Sequence, residues 1–265
     1  MDEDKKRIVI KIGSGVLAQE EGVCLDLDII ARLARAIAGL NQAGHQCLVV
    51  SSGAVAAGLD ALGLDQRPSS LETLQACAAA GQARLMHHYE GQFSQQDSTV
   101  AQILLSHEDL ANQQRRINVK NTLTHLLEFP GVIPIINEND SVAIYELKVG
   151  DNDRLSTDIA VLAEADLLIM LTSVPGLRGP DARDDNDIIK NIPDVSQVLS
   201  YASAETGRLS IGGMRSKLEC VKTAVEAGIE TLIASGRHPE QLLELVNGGG
   251  LASRFPVPAK TSTGN

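Results

Sequence analysis

Short apolar runs alternate with longer helical patterns along almost the whole of this 265-residue chain. Residues 7–12, 46–50, 132–136 and 166–171 are rich in Ile, Leu and Val, as buried strands are, and helical patterns lie between them. Apolar strands joined by helices are typical of βαβ units, in which helices cover both faces of a parallel sheet. The alternation therefore predicts an α/β fold, a three-layer α/β/α sandwich around a mainly parallel central sheet.

The remaining patterns extend this prediction along the chain. No internal repeat or low-complexity linker divides it, so we expect one continuous domain over residues 1–255 and a flexible tail over residues 256–265. The glycines at residues 248–250 are expected to be flexible as well. Further strands are expected at residues 99–105 and 230–234, and helices at residues 26–43, 71–95, 115–129, 213–227 and 239–246.

Charge and composition exclude several classes of partner. The net charge of −11 would repel a phosphate backbone or an anionic lipid surface, so neither a nucleic acid nor a membrane is an expected partner. Aromatic residues make up only 2% of the chain and Trp is absent, which argues against stacking on nucleic-acid bases. No apolar run is long enough for a signal peptide or a membrane span, so a cytoplasmic protein is expected.

The cysteines and histidines lack the spacing of a metal site. The 4 cysteines lie far apart without a Cys-x-x-Cys pair, which excludes a typical zinc site and a dense disulfide framework. The 6 histidines are scattered and show no metal-ligand spacing. No metal-binding residues are therefore predicted.

Two polar clusters mark the candidate site. Residues 137–140 (Asn-Glu-Asn-Asp) follow an apolar run directly, and residues 150–153 (Gly-Asp-Asn-Asp) open a helical pattern. Open α/β sheets bind their ligands at the carboxyl ends of the strands. Carboxylates hold an ammonium group, while amides and helix N-terminal N–H groups hold a carboxylate, so the clusters suit an amino-acid zwitterion. A turn rich in Asn and Asp that binds nothing is the alternative.

Two lysines are candidates for contact with a phosphate. Lys11 interrupts the first apolar run just before Gly13, and Lys217 follows a glycine pair at the start of a helix. Lys217 opposes the helix dipole there, and a bound polyphosphate would reverse that effect. A solvated lysine at the edge of a strand is the alternative for Lys11. The Walker pattern is absent, and the formal dinucleotide fingerprint at residues 13–18 lacks its ribose-binding acid.

A turn of small residues follows the second apolar run. Residues 51–58 (Ser-Ser-Gly-Ala-Val-Ala-Ala-Gly) lead from a strand into a helix. Backbone N–H groups in such a turn can hold an anion. A tight turn that only packs closely is the alternative.

These motifs carry a resemblance to a known family. Residues 136–142 (INENDSV) and 148–153 (KVGDND) resemble the paired signatures of the glutamate 5-kinases, a group within the amino-acid kinase family, and the similarity extends over residues 8–234. The resemblance implies phosphorylation of the γ-carboxylate of L-glutamate by ATP, with Mg²⁺, to L-glutamyl 5-phosphate, the first step of proline biosynthesis. The N-terminal part would bind the amino acid and the C-terminal part the nucleotide.

The resemblance also implies roles for single residues. Lys11 and Lys217 would stabilise the transferring phosphoryl group, and Asp153 would orient both lysines. A general base is not required, because the attacking carboxylate is already ionised near pH 7. The implied substrate contacts are Ser52, Gly53, Ala54, Asn137, Asp140 and Asn152. The implied nucleotide contacts are Lys11, Gly13, Ser14, Thr172, Ser173, Ile211, Gly212, Gly213, Met214 and Lys217.

The nucleotide half departs from the family pattern. The family's nucleotide strand commonly ends Thr-Asp-x-x-Gly-Leu-Tyr, but Ser173 and Arg178 stand here in place of the acid and the aromatic residue. Ile211 stands where the family has Thr before its Gly-Gly-Met segment. These changes leave nucleotide affinity and base preference open.

Two alternative functions stay open at this stage. The first is another family activity, with acetylglutamate, aspartate or UMP as the acceptor; Asp140 favours a free ammonium over an acetylated amine. The second is a non-catalytic amino-acid sensor that has kept the acceptor pocket, which the changes at Ser173, Arg178 and Ile211 would explain.

The resemblance extends to partners and assembly. It implies a homodimer or homotetramer, feedback by L-proline, and transfer of the labile acyl phosphate to glutamate-5-semialdehyde dehydrogenase. Many bacterial members also carry a small C-terminal RNA-modification-type (PUA) domain, which is not expected here.

Overall fold

The structure, a computed structural model, describes residues 5–19, 24–142, 151–184, 186–200 and 213–258. A seven-stranded sheet lies at the centre of this part of the chain. Its strand order is β3-β4-β2-β1-β5-β6-β7, and all neighbouring pairs are parallel except β6 and β7. The strands are β1 (Arg7–Ile12), β2 (Gln46–Ser51), β3 (Thr99–Leu105), β4 (Val132–Glu138), β5 (Leu167–Thr172), β6 (Glu230–Ser235) and β7 (Ala252–Phe255).

Helices follow most of the strands and return the chain to the start of the next one. Within the described residues they are α1 (Ser14–Leu17), α2 (Leu27–Gln42), α3 (Ala54–Leu62), α4 (Leu71–Ser94), α5 (His107–Ala111), α6 (Gln113–Leu126), α7 (Asp151–Leu162), α8 (Gly213–Glu226) and α9 (Leu242–Val246). Short 3₁₀ turns cover Val195–Gln197 and Pro239–Gln241. None of these helices combines the length and the apolar composition needed to cross a bilayer.

The two faces of the sheet support separate apolar cores. Ile8 and Ile10 of the central strand β1 pack with residues of α2, α4 and α9, whereas Val9 packs with residues of α7 and α8. This division follows from the alternation of side chains along a strand. The structure thus confirms the predicted three-layer α/β/α sandwich with a mainly parallel sheet.

Local signals in the sequence set several of the element boundaries. The side chain of Asp26 accepts a hydrogen bond from the Ile29 N–H (3.1 Å) and begins α2, as expected of an N-cap. Gly44 follows that helix with a φ of +97°, in the left-handed region that glycine enters without strain. β1 and β3 have the bounds that the apolar runs predict.

The end of β4 differs from the prediction. Asn137 and Glu138 were expected just beyond the strand, but both pair with β3, opposite Leu104 and Leu105. The polar cluster therefore begins inside the sheet, and a rigid strand holds its first two members.

The chain end also differs. β7, which the sequence analysis did not predict, pairs antiparallel with β6 after the glycines at residues 248–250, and its Phe255 is completely buried. Residues 259–265 of the predicted tail lie outside the described residues. The tail and the domain limits stay predictions.

Candidate functional site

Two lysines that are far apart in the sequence meet on one buried carboxylate. Lys11 Nζ lies 2.5 Å from Asp153 Oδ1, and Lys217 Nζ lies 3.0 Å from Asp153 Oδ2. The Asp153 side chain is completely buried, and the two lysine side chains are only 6% and 15% exposed. Each lysine thus has its own carboxylate oxygen, and the three groups form a fixed unit, the Lys–Asp–Lys cluster.

The fold explains why these three side chains converge. Lys11 lies on the central strand β1 and, by alternation, points to the same face as Val9, the face that α7 and α8 cover. Asp153 lies in the first turn of α7, and Lys217 lies one turn into α8. The two helices are adjacent. Parallel strands bring these element ends to one edge of the sheet.

Burial and charge act in opposite directions on this cluster. Burial lowers the pKa of Lys11 below its ordinary value, and the charge of Asp153 opposes that change only in part. For Asp153, burial alone would raise the pKa, but the charges of Lys11 and Lys217 outweigh it and hold the pKa below the usual range. Asp153 is therefore a carboxylate at neutral pH. Such a group orients cations well and is a weak base.

Side-chain amides join the cluster to a second group of polar residues. Asn152 precedes Asp153, and its Nδ2 lies 3.1 Å from Asn137 Oδ1 and 3.0 Å from Ser52 Oγ. Asn137 Oδ1 also accepts the backbone N–H of Glu138 (2.9 Å), and Asn137 Nδ2 donates to Gln82 Oε1 (2.9 Å). Three of the predicted substrate contacts, Ser52, Asn137 and Asn152, thus lie in one hydrogen-bonded network.

A tight turn holds Ser52 in place. The Ser52 N–H donates to the carbonyl of Ile12 (3.1 Å), and Gly53 next to it has a φ of +102°, where a side chain would be strained. The buried hydroxyl of Tyr89 lies 2.8 Å from Ser51 Oγ. Ala54 then begins α3. The glycine at position 53 is therefore needed for the shape of this turn.

A cleft of about 300 Å³ opens beside the amide network. The predicted contacts Ala54 and Asp140 line it, together with Gln82, Gln102 and Glu138. Carboxylates and neutral amides thus share its walls. The sequence analysis assigned no role to Gln82 or Gln102, because neither residue stands in a recognisable motif.

Several predicted nucleotide contacts lie in the turns after β1 and β5, whereas Asn137 lies on β4 and Ser52 follows β2, on the other side of β1 in the strand order. The N–H of Gly13 donates to the carbonyl of Leu171 (3.1 Å), and a Cβ on Gly13 would lie 3.4 Å from Lys11 Nζ. Ser14 begins α1, and a Cβ on Gly15 would lie 3.9 Å from the Ser173 side chain. The turn after β1 and the turn after β5 are therefore neighbours beside Lys11.

The remaining nucleotide-side residues are more varied. Thr172 closes its own turn, since its hydroxyl donates to the Val174 carbonyl (2.7 Å) and accepts the Val174 N–H (3.1 Å). Gly213 is buried at the start of α8, and Met214 packs against the core on the α7 and α8 face. Ile211 and Gly212 lie outside the described residues.

Comparison with known proteins gives this geometry a context. The amino acid kinase family model matches residues 6–235. A glutamate 5-kinase from Geobacter metallireducens is 45% identical over 260 residues, which are 97% of this chain and 69% of that protein. A glutamate 5-kinase from Thermus thermophilus is 43% identical over 252 residues, 94% of this chain and 67% of that protein.

Solved structures share the fold at much lower identity. The carbamate kinase from Giardia lamblia bound to AMP-PNP has a TM-score of 0.63 and 16% identity, over 95% of this chain and 98% of that one. An N-acetylglutamate synthase from Neisseria gonorrhoeae has a TM-score of 0.68 and 15% identity, over 96% of this chain and 60% of that one. At such identities the similarity establishes the fold alone.

Proposed function

We propose that this chain phosphorylates the γ-carboxylate of L-glutamate with ATP. It belongs to the amino acid kinase family and, within that family, to the glutamate 5-kinases. The product would be L-glutamyl 5-phosphate, which is made in the first step of proline biosynthesis. The observation that carries the proposal is the Lys–Asp–Lys cluster, which lies between an amide-lined cleft and the turns after β1 and β5.

The chemistry needs cations in fixed positions rather than a base. A γ-carboxylate oxygen of glutamate attacks the γ-phosphorus of ATP, the bond from that phosphorus to the bridging oxygen breaks, and ADP leaves. The carboxylate is ionised near pH 7, so no proton has to be removed. Lys11 and Lys217 stabilise the charge on the transferring group, and such preorganised charges supply most of the catalysis in phosphoryl transfer. Asp153 keeps both ammonium groups in position.

The amino acid would bind on the acceptor side. Asp140 suits the ammonium group of glutamate, and the amide network reaches from the cleft to the residue next to Asp153. We propose Ser52, Gly53, Ala54, Asn137, Asp140 and Asn152 as the residues that contact glutamate.

ATP would bind on the opposite side of the cluster. The proposed contacts are Lys11, Gly13, Ser14, Thr172, Ser173, Ile211, Gly212, Gly213, Met214 and Lys217. The described residues contain no group of three or more His, Cys, Asp or Glu side chains that could hold a metal ion, and both oxygens of Asp153 face lysines. Mg²⁺ would therefore bind to the ATP phosphates, where it keeps several of its water ligands.

Assembly and context complete the proposal. The proposal also includes a homodimer or homotetramer, feedback by L-proline and a cytoplasmic location. It further includes transfer of the acyl phosphate to glutamate-5-semialdehyde dehydrogenase. Each is implied by the sequence resemblance alone.

Hydroxylamine trapping tests the reaction. The purified protein, L-glutamate and ATP should yield glutamyl hydroxamate, and Lys217→Ala should lower kcat by about 100- to 1000-fold, since a preorganised charge is lost. Lys222→Ala is the matched control, because Lys222 lies on the same helix but is half exposed and forms a surface ion pair with Glu226. Its activity should equal that of the wild type.

A panel of acceptors separates the alternatives. No hydroxamate at roughly millimolar glutamate and ATP would contradict the proposal. ADP release with acetylglutamate, aspartate or UMP instead would identify another family activity. Glutamate binding in calorimetry without ATP binding would indicate an amino-acid sensor.

A further inference from the structure

One backbone N–H group fixes the orientation of three side-chain amides. An amide side chain can exchange its oxygen and nitrogen by a flip, whereas a backbone N–H can only donate. The Glu138 N–H points at Asn137 (2.9 Å), so the Asn137 atom there must be its oxygen. Asn137 Nδ2 therefore donates to Gln82, and the Gln82 atom that accepts must be Oε1. Asn137 Oδ1 likewise accepts from Asn152, and the Asn152 atom that donates must be Nδ2.

This order leaves one defined atom at each end of the amide network. Asn152 Oδ1 is buried and has no hydrogen-bond partner among the described residues. At the other end, Gln82 Nε2 makes no hydrogen bond within the described part of the chain, and Gln82 lines the cleft. Gln82 therefore presents a donor, and not an acceptor, to whatever occupies the cleft.

The backbone holds Gln82 in position. A Cβ on the preceding residue, Gly81, would lie 1.9 Å from the Ala54 carbonyl oxygen and 2.3 Å from the Gly58 nitrogen. The two helices α3 and α4 are therefore in direct backbone contact at this point. A donor that is fixed before the ligand arrives loses little conformational entropy on binding.

The position of Gln82 indicates which ligand group it meets. The network begins at Asn152, the neighbour of Asp153, and ends at Gln82. Gln82 lines the cleft, whereas Lys11, Asp153 and Lys217 do not. If the γ-carboxylate lies at the lysines, the α-carbon end of glutamate lies towards Gln82. Glu138 and Asp140 line the cleft, and no Lys or Arg does so in the described part of the chain. A substrate carboxylate there needs a neutral donor.

We propose that Gln82 is a specificity-determining residue, whose Nε2 donates to the α-carboxylate of the acceptor. It would thereby select α-amino acids over amines that lack an α-carboxylate. The inference rests on the proposed function, because it takes the γ-carboxylate to be the reacting group. It adds to that function a residue outside the motifs described above and a reason why the acceptor must carry a second carboxylate.

Two acceptors and one variant test the assignment. 4-Aminobutanoate is glutamate without its α-carboxylate and keeps the ammonium group and the reacting carboxylate. In Gln82→Glu the carboxylate can still accept from Asn137 Nδ2, but the donor in the cleft is replaced by a negative charge. We expect kcat/KM for glutamate, followed by ADP release, to fall about 100-fold, as for a lost hydrogen bond to a charged group. The constant for 4-aminobutanoate, as substrate or competitive inhibitor, should change less than about threefold.

Controls separate this role from a structural one. Gln92→Glu makes the same change on the same helix outside the cleft and should leave both acceptors unaffected. Equal losses for glutamate and 4-aminobutanoate in Gln82→Glu would overturn the inference, since a merely structural residue affects both alike. Unchanged constants for both acceptors in Gln82→Glu would overturn it as well.

Failure of the proposed function gives a different result. If the wild type releases no ADP but binds glutamate in calorimetry, the same comparison of affinities decides the inference: selective loss of glutamate binding in Gln82→Glu supports it. If the wild type neither binds nor phosphorylates glutamate, the proposed function and the inference both fall.

Discussion

The acceptor side and the nucleotide side of this site are built in different ways. On the acceptor side, strand β4 and helix α4 hold side-chain amides in a hydrogen-bonded order that a backbone N–H fixes. On the nucleotide side, the groups around Lys11 belong to turns, and the Thr172 hydroxyl forms hydrogen bonds within its own turn. The Lys–Asp–Lys cluster lies between the two sides and is held by charge.

This difference separates the expected effects of substitutions. Hydrogen bonds of fixed direction discriminate between acceptors, because a wrong group leaves a buried partner unpaired. Charges stabilise the transferring phosphoryl group whatever the acceptor is. Changes to the amides should therefore act on glutamate alone, whereas changes to the cluster should act on stability and on kcat.

The largest effect is expected from Asp153→Asn. It leaves two buried ammonium groups without their counter-charge, and the free energy of unfolding should fall by about 3 kcal/mol. Denaturant unfolding measures this change. Asp158→Asn, on the same helix, removes only a partly exposed pair with Arg154 and should cost less than about 0.5 kcal/mol. Equal values for the two variants would contradict the account of the cluster.

The amide network predicts a smaller effect that is confined to the acceptor. Asn137→Ala removes the acceptor of the Glu138 N–H and the donor to Gln82 Oε1, and Asn152 Nδ2 keeps only its bonds to the Ser52 hydroxyl and the Ser51 carbonyl among the described residues. We therefore expect kcat/KM for glutamate to fall roughly 30-fold, or about 2 kcal/mol. The KM for ATP should not change. Asn41→Ala, which removes a hydrogen bond to the His45 carbonyl away from the site, is the control. A parallel rise in the KM for ATP would mean that the two sides are not separate.

The pH dependence should report the burial of Lys11. Lys11 must be protonated to stabilise the phosphoryl group, and its pKa in the folded protein is lowered from 10.5 by burial. Activity should therefore be lost as the pH rises through that lowered pKa, and the alkaline limb of kcat/KM for ATP should lie below pH 10.5. In Lys11→Arg the limb should move to higher pH, because a guanidinium stays charged. An unmoved limb would assign it to another group.

The smallest effect concerns the turn that carries Ser52. Tyr89→Phe removes the buried hydrogen bond to Ser51, and the free energy of unfolding should fall by about 1 kcal/mol. Ser51 Oγ keeps its bond to the Ser52 carbonyl (2.8 Å), so glutamate kinetics should change little. A large rise in the KM for glutamate would show that Tyr89 also sets the geometry of the acceptor side.

The sequence predicted the sheet well because its strands are continuous apolar runs next to glycine or polar breaks. β1 needs no other information than that pattern. β7 was missed because it is short, follows a glycine-rich segment and depends on the edge that β6 offers. The extension of β4 through Glu138 was missed for a related reason, since pairing with β3, rather than local preference, keeps polar residues in the strand.

The site shows the same limit. The motifs around Lys11, Asp153 and Lys217 named residues that the structure brings together, and their roles in catalysis stay predictions. Gln82 gave no signal, because a glutamine in an Ala-rich helix looks like any other surface residue. Its position depends on the contact between Gly81 and Ala54, which are distant in the sequence.

Transfer of isotope from glutamate tests the central claim most directly. L-Glutamate with ¹⁸O in its γ-carboxylate is incubated with the enzyme, ATP and hydroxylamine, and the released phosphate is examined by mass spectrometry. If the γ-carboxylate attacks the phosphorus, hydroxylamine then displaces a phosphate that carries a single labelled oxygen from glutamate. Phosphate without label, formed at the same rate as ADP, would mean that water and not glutamate accepts the phosphoryl group, and would contradict the account.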